Sequence, residues 1–152
     1  MNDDQLDEKQ IVSLLCQGNS SLLEQMKIEF SDELVKRIQS QLIEEKASHG
    51  VNNLGVLYDL GAGGMTRDPE RAIECYVKAA SLGSYIACEN LGFLYEERAD
   101  EKEALEWWRK AADLRIEQGK IEETRMFSGR KDDQVSWSRG ALLKLLSNNR
   151  EV

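Results

Sequence analysis

The sequence is poor in several residue types on which whole classes of protein depend. Among 152 residues there are one proline, one histidine and three cysteines, and aromatic residues make up 7%. Scarce proline removes the strongest helix breaker, so a chain rich in Leu, Glu, Ala and Lys favours helices. A single histidine and widely separated cysteines lack metal-ligand spacing. We therefore expect neither a metal site nor a cofactor.

Long apolar runs are also missing. The longest apolar stretches span only a few residues, so we expect no membrane-spanning segment. Residues 1–5 have neither the basic start nor the apolar run of a signal peptide. In a chain without an export signal, an odd set of cysteines (Cys16, Cys75 and Cys88) favours reduced, buried thiols. These features predict a cytoplasmic protein.

Positive charge is in the minority. The chain has 20 Lys and Arg against 28 Asp and Glu, a net charge of −8, and the acidic excess lies in residues 1–114. Because binding to nucleic acid begins with basic side chains that neutralise phosphates, we expect no nucleic-acid partner. The apolar fraction of 41% is nevertheless sufficient for the core of one domain.

The strongest positive signal is an internal repeat. Residues 53–58 (NLGVLY) recur as residues 90–95 (NLGFLY), an offset of 37, and residues 72–82 (AIECYVKAASL) recur as residues 104–114 (ALEWWRKAADL), an offset of 32. The apolar residues have helical spacing, so each copy predicts two helices. The longer connection in the first copy, residues 61–65 (GAGGM), is rich in glycine and predicts a turn.

Several residues predict how these helices begin and pack. Asp68 and Asp100 stand where N-caps are needed, and Asp68 is followed by a proline suited to the first helical position. Gly55 and Gly92 fall in the middle of the first helices, where we expect close approach of a neighbouring helix backbone. Trp108 is predicted to lie in the core of the second copy.

The pattern resembles the Sel1-like repeat, a relative of the tetratricopeptide repeat. The resemblance covers residues 48–115 and rests on the Asn-Leu-Gly-x-Leu-Tyr runs, the glycine-rich loop, the Asp68 cap and residues 76–83 (YVKAASLG). The second copy departs from it, because it lacks the glycine-rich insertion and has Arg115 in place of Gly83. The resemblance implies an all-α solenoid of helical hairpins.

Apolar stripes predict further helices on both sides of the repeats. They cover residues 4–16, 20–29 and 32–46 before the repeats, and residues 116–128 and 134–147 after them. We therefore predict one solenoid domain of about seven to nine helices. Its parts are a degenerate helical cap (1–47), a first Sel1-like repeat (48–83), a second repeat (84–118) and C-terminal capping helices (119–152).

No catalytic set of residues is visible. His49 is the only histidine and stands at the start of a predicted helix, and no nucleophile is spaced to work with it. The glycines of residues 61–64 lack the Lys and Ser or Thr of a phosphate-binding loop. We therefore expect the chain not to be an enzyme.

The resemblance also implies where a partner binds. In tetratricopeptide-like solenoids the first helices of successive repeats line a concave face, which here comprises His49, Asn52, Val56, Asp59, Ile86, Glu89, Phe93 and Glu96. An apolar floor with acidic sides suits a basic or amphipathic partner segment. The alternative is that the C-terminal helices bury Phe93 and close this groove.

These observations predict a non-catalytic protein–protein interaction module, an adaptor or scaffold. One alternative is a small immunity or inhibitor protein that covers the basic active site of a toxin or enzyme. The second alternative, from family analogy, is a hydrolase that depends on His49. The oligomeric state and the identity of the partner stay open.

Overall fold

The computed structural model describes residues 7–18 and 28–128, with side chains up to residue 119. The regular elements within these ranges are six α-helices: α1 (Glu8–Gln17), α2 (Asp32–Glu44), α3 (Ser48–Leu60), α4 (Pro69–Ser81), α5 (Tyr85–Glu97) and α6 (Glu101–Ser128). The all-α prediction is confirmed. The count is slightly below the seven to nine helices predicted, but residues 20–27 and 134–147 lie outside the described part.

The two repeats are the centre of the fold. Helices α3 and α4 form the first hairpin, and α5 and α6 form the second. Both α5 and α3 are 13 residues long and start 37 residues apart, while α4 and α6 start 32 residues apart. The structure therefore reproduces both offsets of the sequence repeat.

Polar side chains cap the N-terminal ends of most of these helices, and the sequence predicts the caps at Asp68 and Asp100. The Asp68 carboxylate accepts a hydrogen bond from the backbone N–H of Arg71, and the Asp100 carboxylate accepts one from Glu103. The hydroxyls of Ser31 and Ser84 cap α2 and α5 in the same way. Each cap satisfies a helix N–H that has no partner within its own helix.

The glycine-rich connection ends α3 and turns the chain back along it. Gly61 has a φ of +61° and Gly64 a φ of +85°, a region that favours glycine. A Cβ at Gly64 would lie 2.6 Å from the carbonyl oxygen of Ile28, so the loop also touches the chain that precedes α2. The Asp68 N–H donates to the Tyr58 carbonyl at 2.8 Å and fixes the start of α4.

The core is centred on α3. Helices α1 and α2 pack on one side of it and α4 packs on another, while α5 continues the stack against α4. The largest fully buried side chains include Tyr76, Leu15, Leu42, Leu54 and Leu91, so every helix from α1 to α5 contributes. The cap helices are therefore part of the same core as the repeats.

Helix α6 differs from its predicted form. The sequence suggested that the second helix of the repeat ends near residue 118 and that residues 116–128 form a separate weak helix. Instead, one helix of 28 residues continues from Glu101 to Ser128 through Gly119. The physical reason lies at Arg115, because the equivalent Gly83 adopts a φ of +94° and lets the chain turn after α4.

No helix of the described ranges is long and apolar enough to cross a bilayer.

Candidate protein-binding surface

The eight predicted concave residues differ in their exposure. Asn52, Val56 and Asp59 are completely buried. Phe93 is 45% exposed and Glu96 is exposed, whereas the remaining three, His49, Ile86 and Glu89, are half-buried. The half of the predicted surface on α3 thus belongs largely to the interior, and the half on α5 reaches solvent.

The buried amides on α3 have a structural task. Asn53 donates from Nδ2 to the carbonyl oxygen of Leu15 at 2.6 Å, and Asn52 donates to Asn53 Oδ1 at 3.2 Å. Asn90 on α5 donates to Asn52 Oδ1 at 3.0 Å. These bonds form an amide ladder from the end of α1 across α3 to α5. Because buried polar groups are costly unless they are hydrogen-bonded, the ladder fixes the spacing of these helices.

Asp59 is held in a similar way. Its Oδ2 accepts a hydrogen bond from the Tyr76 hydroxyl at 3.1 Å, and its backbone carbonyl accepts one from Arg67 Nε at 2.8 Å. The assignment of Asn52, Val56 and Asp59 to an open groove is therefore corrected. They stabilise the interior beneath α5, because neighbouring helices cover this face of α3.

An aromatic ring lies against each mid-helix glycine. A Cβ at Gly55 would come within 2.8 Å of the Tyr76 ring, and a Cβ at Gly92 would overlap the Trp108 indole. The expected close approach is present, but its partner is a ring rather than a helix backbone. Both glycines therefore make room for the large residue of the following helix.

The open region of repeat 2 is a groove between α5 and α6. We call it the α5–α6 groove; its lining consists of Glu89, Trp108, Ala111, Ala112, Arg115 and Ile116. The Phe93 ring lies beside it, edge-on to Trp108, with a centroid distance of 5.9 Å and an interplanar angle of 73°. Phe93 on α5 is 45% exposed and Ile116 on α6 is 64% exposed, so each helix has accessible apolar surface at the groove.

Trp108 is half-buried and forms one wall of this groove. The prediction that places it in the core is therefore correct only for the side of the ring that rests on Gly92. Sequence reasoning missed Ala112 and Ile116 because it treated the groove as a feature of first helices alone. The repeat offset of 32 residues aligns them with Ala80 and Ser84 at the α4–α5 junction. This alignment would have indicated that they lie where a further helix could pack.

The charged groups of the groove are few and accessible. Glu89 forms an ion pair with Arg115 across the groove, with 3.4 Å between the carboxylate oxygen and the guanidinium nitrogen. Arg115 also lies over the Tyr85 ring, 5.6 Å from its centroid. Such an exposed pair contributes only about 0–1 kcal/mol, so Glu89 can change partners at little cost.

The three cysteines are free thiols, and Cys75 and Cys88 are buried. Burial raises the pKa of the Cys75 thiol to about 12 and raises the pKa of Cys88. The pKa of Cys16 is raised by burial and then by the charge of Glu45. A thiol with a raised pKa is a poor nucleophile at neutral pH.

The other candidates for chemistry are dispersed. His49 lies in the first turn of α3, outside the lining of the α5–α6 groove. Among the residues that the structure describes, no three His, Cys, Asp or Glu side chains are grouped so as to hold a metal ion. The α5–α6 groove is therefore the candidate surface for contact with a partner.

Comparisons with known proteins agree with the repeat. The Sel1 repeat model matches residues 48–84 and 86–115. Sel1 repeats are protein–protein interaction modules and are generally non-catalytic.

The chain is also similar to an F-box protein of Arabidopsis thaliana, with 32% identity over 60 residues. The similar region covers 40% of this chain and 17% of the relative, so the chain spans less than a fifth of that protein's length. No solved structure matches the chain significantly. The chain thus carries two Sel1 repeats, over residues 48–84 and 86–115.

Proposed function

We propose that this protein is a non-catalytic adaptor or scaffold that binds a basic or amphipathic segment of a partner protein in the α5–α6 groove. The observation that carries the proposal is the exposed Phe93, held edge-on by Trp108 and flanked by Glu89 and Glu96. An aromatic side chain with limited freedom gives contact area at low entropic cost. The adjacent carboxylates select for positive charge.

The predicted set of contact residues is narrowed accordingly. Ile86, Glu89, Phe93 and Glu96 lie at intervals of three and four residues along α5 and share one face of that helix. Trp108 and Ile116 complete the surface from α6. Asn52, Val56 and Asp59 contribute indirectly, because they hold α5 against α3.

Net charge supports the choice of partner. With a net charge of −8, the chain attracts basic proteins and repels both acidic proteins and nucleic acids. The proposal places this recognition in the cytoplasm, where the three free thiols stay reduced.

The test compares two variants with matched chemistry. In the first, Phe93→Ala, Glu89→Lys and Glu96→Lys change the groove. In the control, Val77→Ala, Glu33→Lys and Glu44→Lys make the same kinds of change at exposed positions on α4 and α2. Each tagged protein is used to isolate partners from its native host, and bound proteins are quantified by mass spectrometry.

We expect the amount of partner recovered with the groove variant to fall at least about tenfold, because truncation of an interface anchor has an effect of this size. The control should retain its partners, and circular dichroism should show unchanged helix content for both. Equal recovery by the two variants would move the binding site to another surface.

A further inference from the structure

The two repeats show what the α5–α6 groove is shaped to hold. In repeat 1 the corresponding groove between α3 and α4 is occupied by α5, which packs against α4 and bonds to α3 through Asn90 and Asn52. Val56 and Tyr76 are completely buried there. An α-helix is therefore the natural occupant of this surface.

Among the residues that the structure describes, no helix covers the equivalent positions in repeat 2 in this way. The offsets of 37 and 32 align Val56 with Phe93 and Tyr76 with Trp108, and the two residues of repeat 2 have access to solvent. Gly83 allows the chain to turn from α4 into α5, whereas Arg115 occupies the same place within the continuous α6. Up to Ser128 the chain therefore continues straight past the point at which repeat 1 turns into its covering helix.

The chemistry at one aligned position indicates the charge of the occupant. Asn52 accepts the hydrogen bond that Asn90 of α5 donates, and the residue aligned with Asn52 is Glu89. A carboxylate forms stronger hydrogen bonds to a cation than to a neutral amide. Arg115 already reaches Glu89, so a guanidinium fits beside it.

We propose that the α5–α6 groove docks an amphipathic helix of a partner protein in the position that α5 occupies on repeat 1, with a Lys or Arg of that helix bonded to Glu89. This inference rests on the proposed function and names the shape and chemistry of the partner segment. On α5 the buried Ala87, Leu91 and Leu94 surround Asn90. The partner helix accordingly carries its basic residue among small and aliphatic residues at the same spacing.

A second copy of this chain is a poorer occupant. Its α5 would bring Glu89, Glu96 and Glu97 towards the same carboxylates on α5 of its neighbour, where like charges repel. The carboxylates of Glu89 and Glu96 favour a basic segment, and the continuity of the surface with the α4–α5 interface favours a helix from another protein.

The test uses two helical peptides and the full chain. Both peptides copy residues 84–99, with lysine at the three glutamate positions and alanine at the cysteine. One has Asn90→Arg and the other has Asn90→Ala. Affinities are measured by fluorescence anisotropy for the unchanged protein, for Glu89→Gln, for Phe93→Ala and for Glu33→Gln as a control on α2.

We expect the arginine peptide to bind the unchanged protein about fivefold more tightly than the alanine peptide. Glu89→Gln should abolish that difference, because glutamine lacks the negative charge that the arginine binds. The double-mutant cycle isolates the energy of this pair. Phe93→Ala should weaken both peptides about tenfold, whereas Glu33→Gln should weaken neither.

Three outcomes would overturn the inference. The first is a preference for the arginine peptide that persists in Glu89→Gln. The second is peptide binding only after residues 129–152 have been removed. The third is a concentration-dependent dimer, detected by analytical sedimentation, that the peptide dissociates. Loss of the native partner by the groove variant, without the dependence on Glu89, would leave the proposed function intact. Retention of native partners by that variant would contradict the proposed function instead.

Discussion

The two repeats share one sequence pattern but occupy different surroundings. Repeat 1 is covered on both sides, by α1 and α2 before it and by α5 after it. In repeat 2 the positions equivalent to the buried Val56 and Tyr76 are the partly exposed Phe93 and Trp108. The same kind of surface thus serves as core in one repeat and as a contact surface in the other, because a solenoid buries each unit against its neighbours.

The largest expected effect separates the two aligned aromatic residues. Tyr76→Ala should lower the free energy of unfolding by about 3–5 kcal/mol, because it empties a fully buried site and removes the bond to Asp59. Trp108→Ala should lower it by about 1–2 kcal/mol, because only part of the indole is buried. Urea unfolding followed by circular dichroism measures both. Equal losses would mean that the two repeats are equally covered.

The mid-helix glycines give a second comparison. Gly55→Ala should destabilise the protein by about 1–3 kcal/mol, because the new methyl group meets the immobile Tyr76 ring. Gly119→Ala is the control, since a Cβ there would contact nothing within 4 Å. It should stabilise the protein by up to about 1 kcal/mol through helix propensity. The midpoints of thermal unfolding of both variants test this. A higher midpoint for Gly55→Ala would mean that the Tyr76 ring does not lie against Gly55.

The amide ladder allows a third comparison at aligned positions. Asn52→Ala should reduce stability by about 1–3 kcal/mol, because it breaks buried hydrogen bonds to Asn53 and Asn90. Glu89→Ala should change stability by no more than about 0.5 kcal/mol, since its ion pair with Arg115 is accessible to water. Chemical denaturation checks the pair, and a large loss for Glu89→Ala would contradict the open groove.

The smallest effect concerns the attachment of the cap to repeat 1. A hydrogen bond from Arg71, 2.7 Å away, lowers the pKa of Asp32. A lowered pKa means that the pair contributes stability above the ordinary aspartate range and loses it as the pH falls through the folded-state pKa. The stability difference between the unchanged protein and Asp32→Asn should therefore shrink between pH 6 and pH 3. Denaturation midpoints at both pH values test this, and a constant difference would mean that the ion pair does not contribute to stability.

Much of the fold was predictable because local signals agree with one another. Neighbouring residues determine the helix caps at Asp68 and Asp100 and the turn at Gly61. The two repeat offsets are likewise visible in short stretches of sequence. The site was harder to predict because burial depends on distant elements. Nothing local distinguishes Val56 from Phe93, and only the packing of α1, α2 and α5 makes one interior and the other accessible.

The course of α6 illustrates the same limit. The second repeat was predicted to end at residue 118, but Gly119 does not interrupt the helix, because a glycine in a helix costs only about 1 kcal/mol and neighbouring residues can overcome it. The decisive position was Arg115, which lacks the backbone freedom that Gly83 uses to turn. Comparing the two repeats at that position would have predicted the longer helix.

The most direct test of the open groove is the reactivity of thiols introduced at the two aligned positions. Phe93→Cys and Val56→Cys are labelled with iodoacetamide under native conditions, and peptide mapping quantifies each site, with Cys75 as a buried internal reference. We expect rapid labelling at position 93 and slow labelling at position 56, close to that of Cys75. Equal protection at both positions would contradict this expectation, because the surface of repeat 2 would then be covered as repeat 1 is.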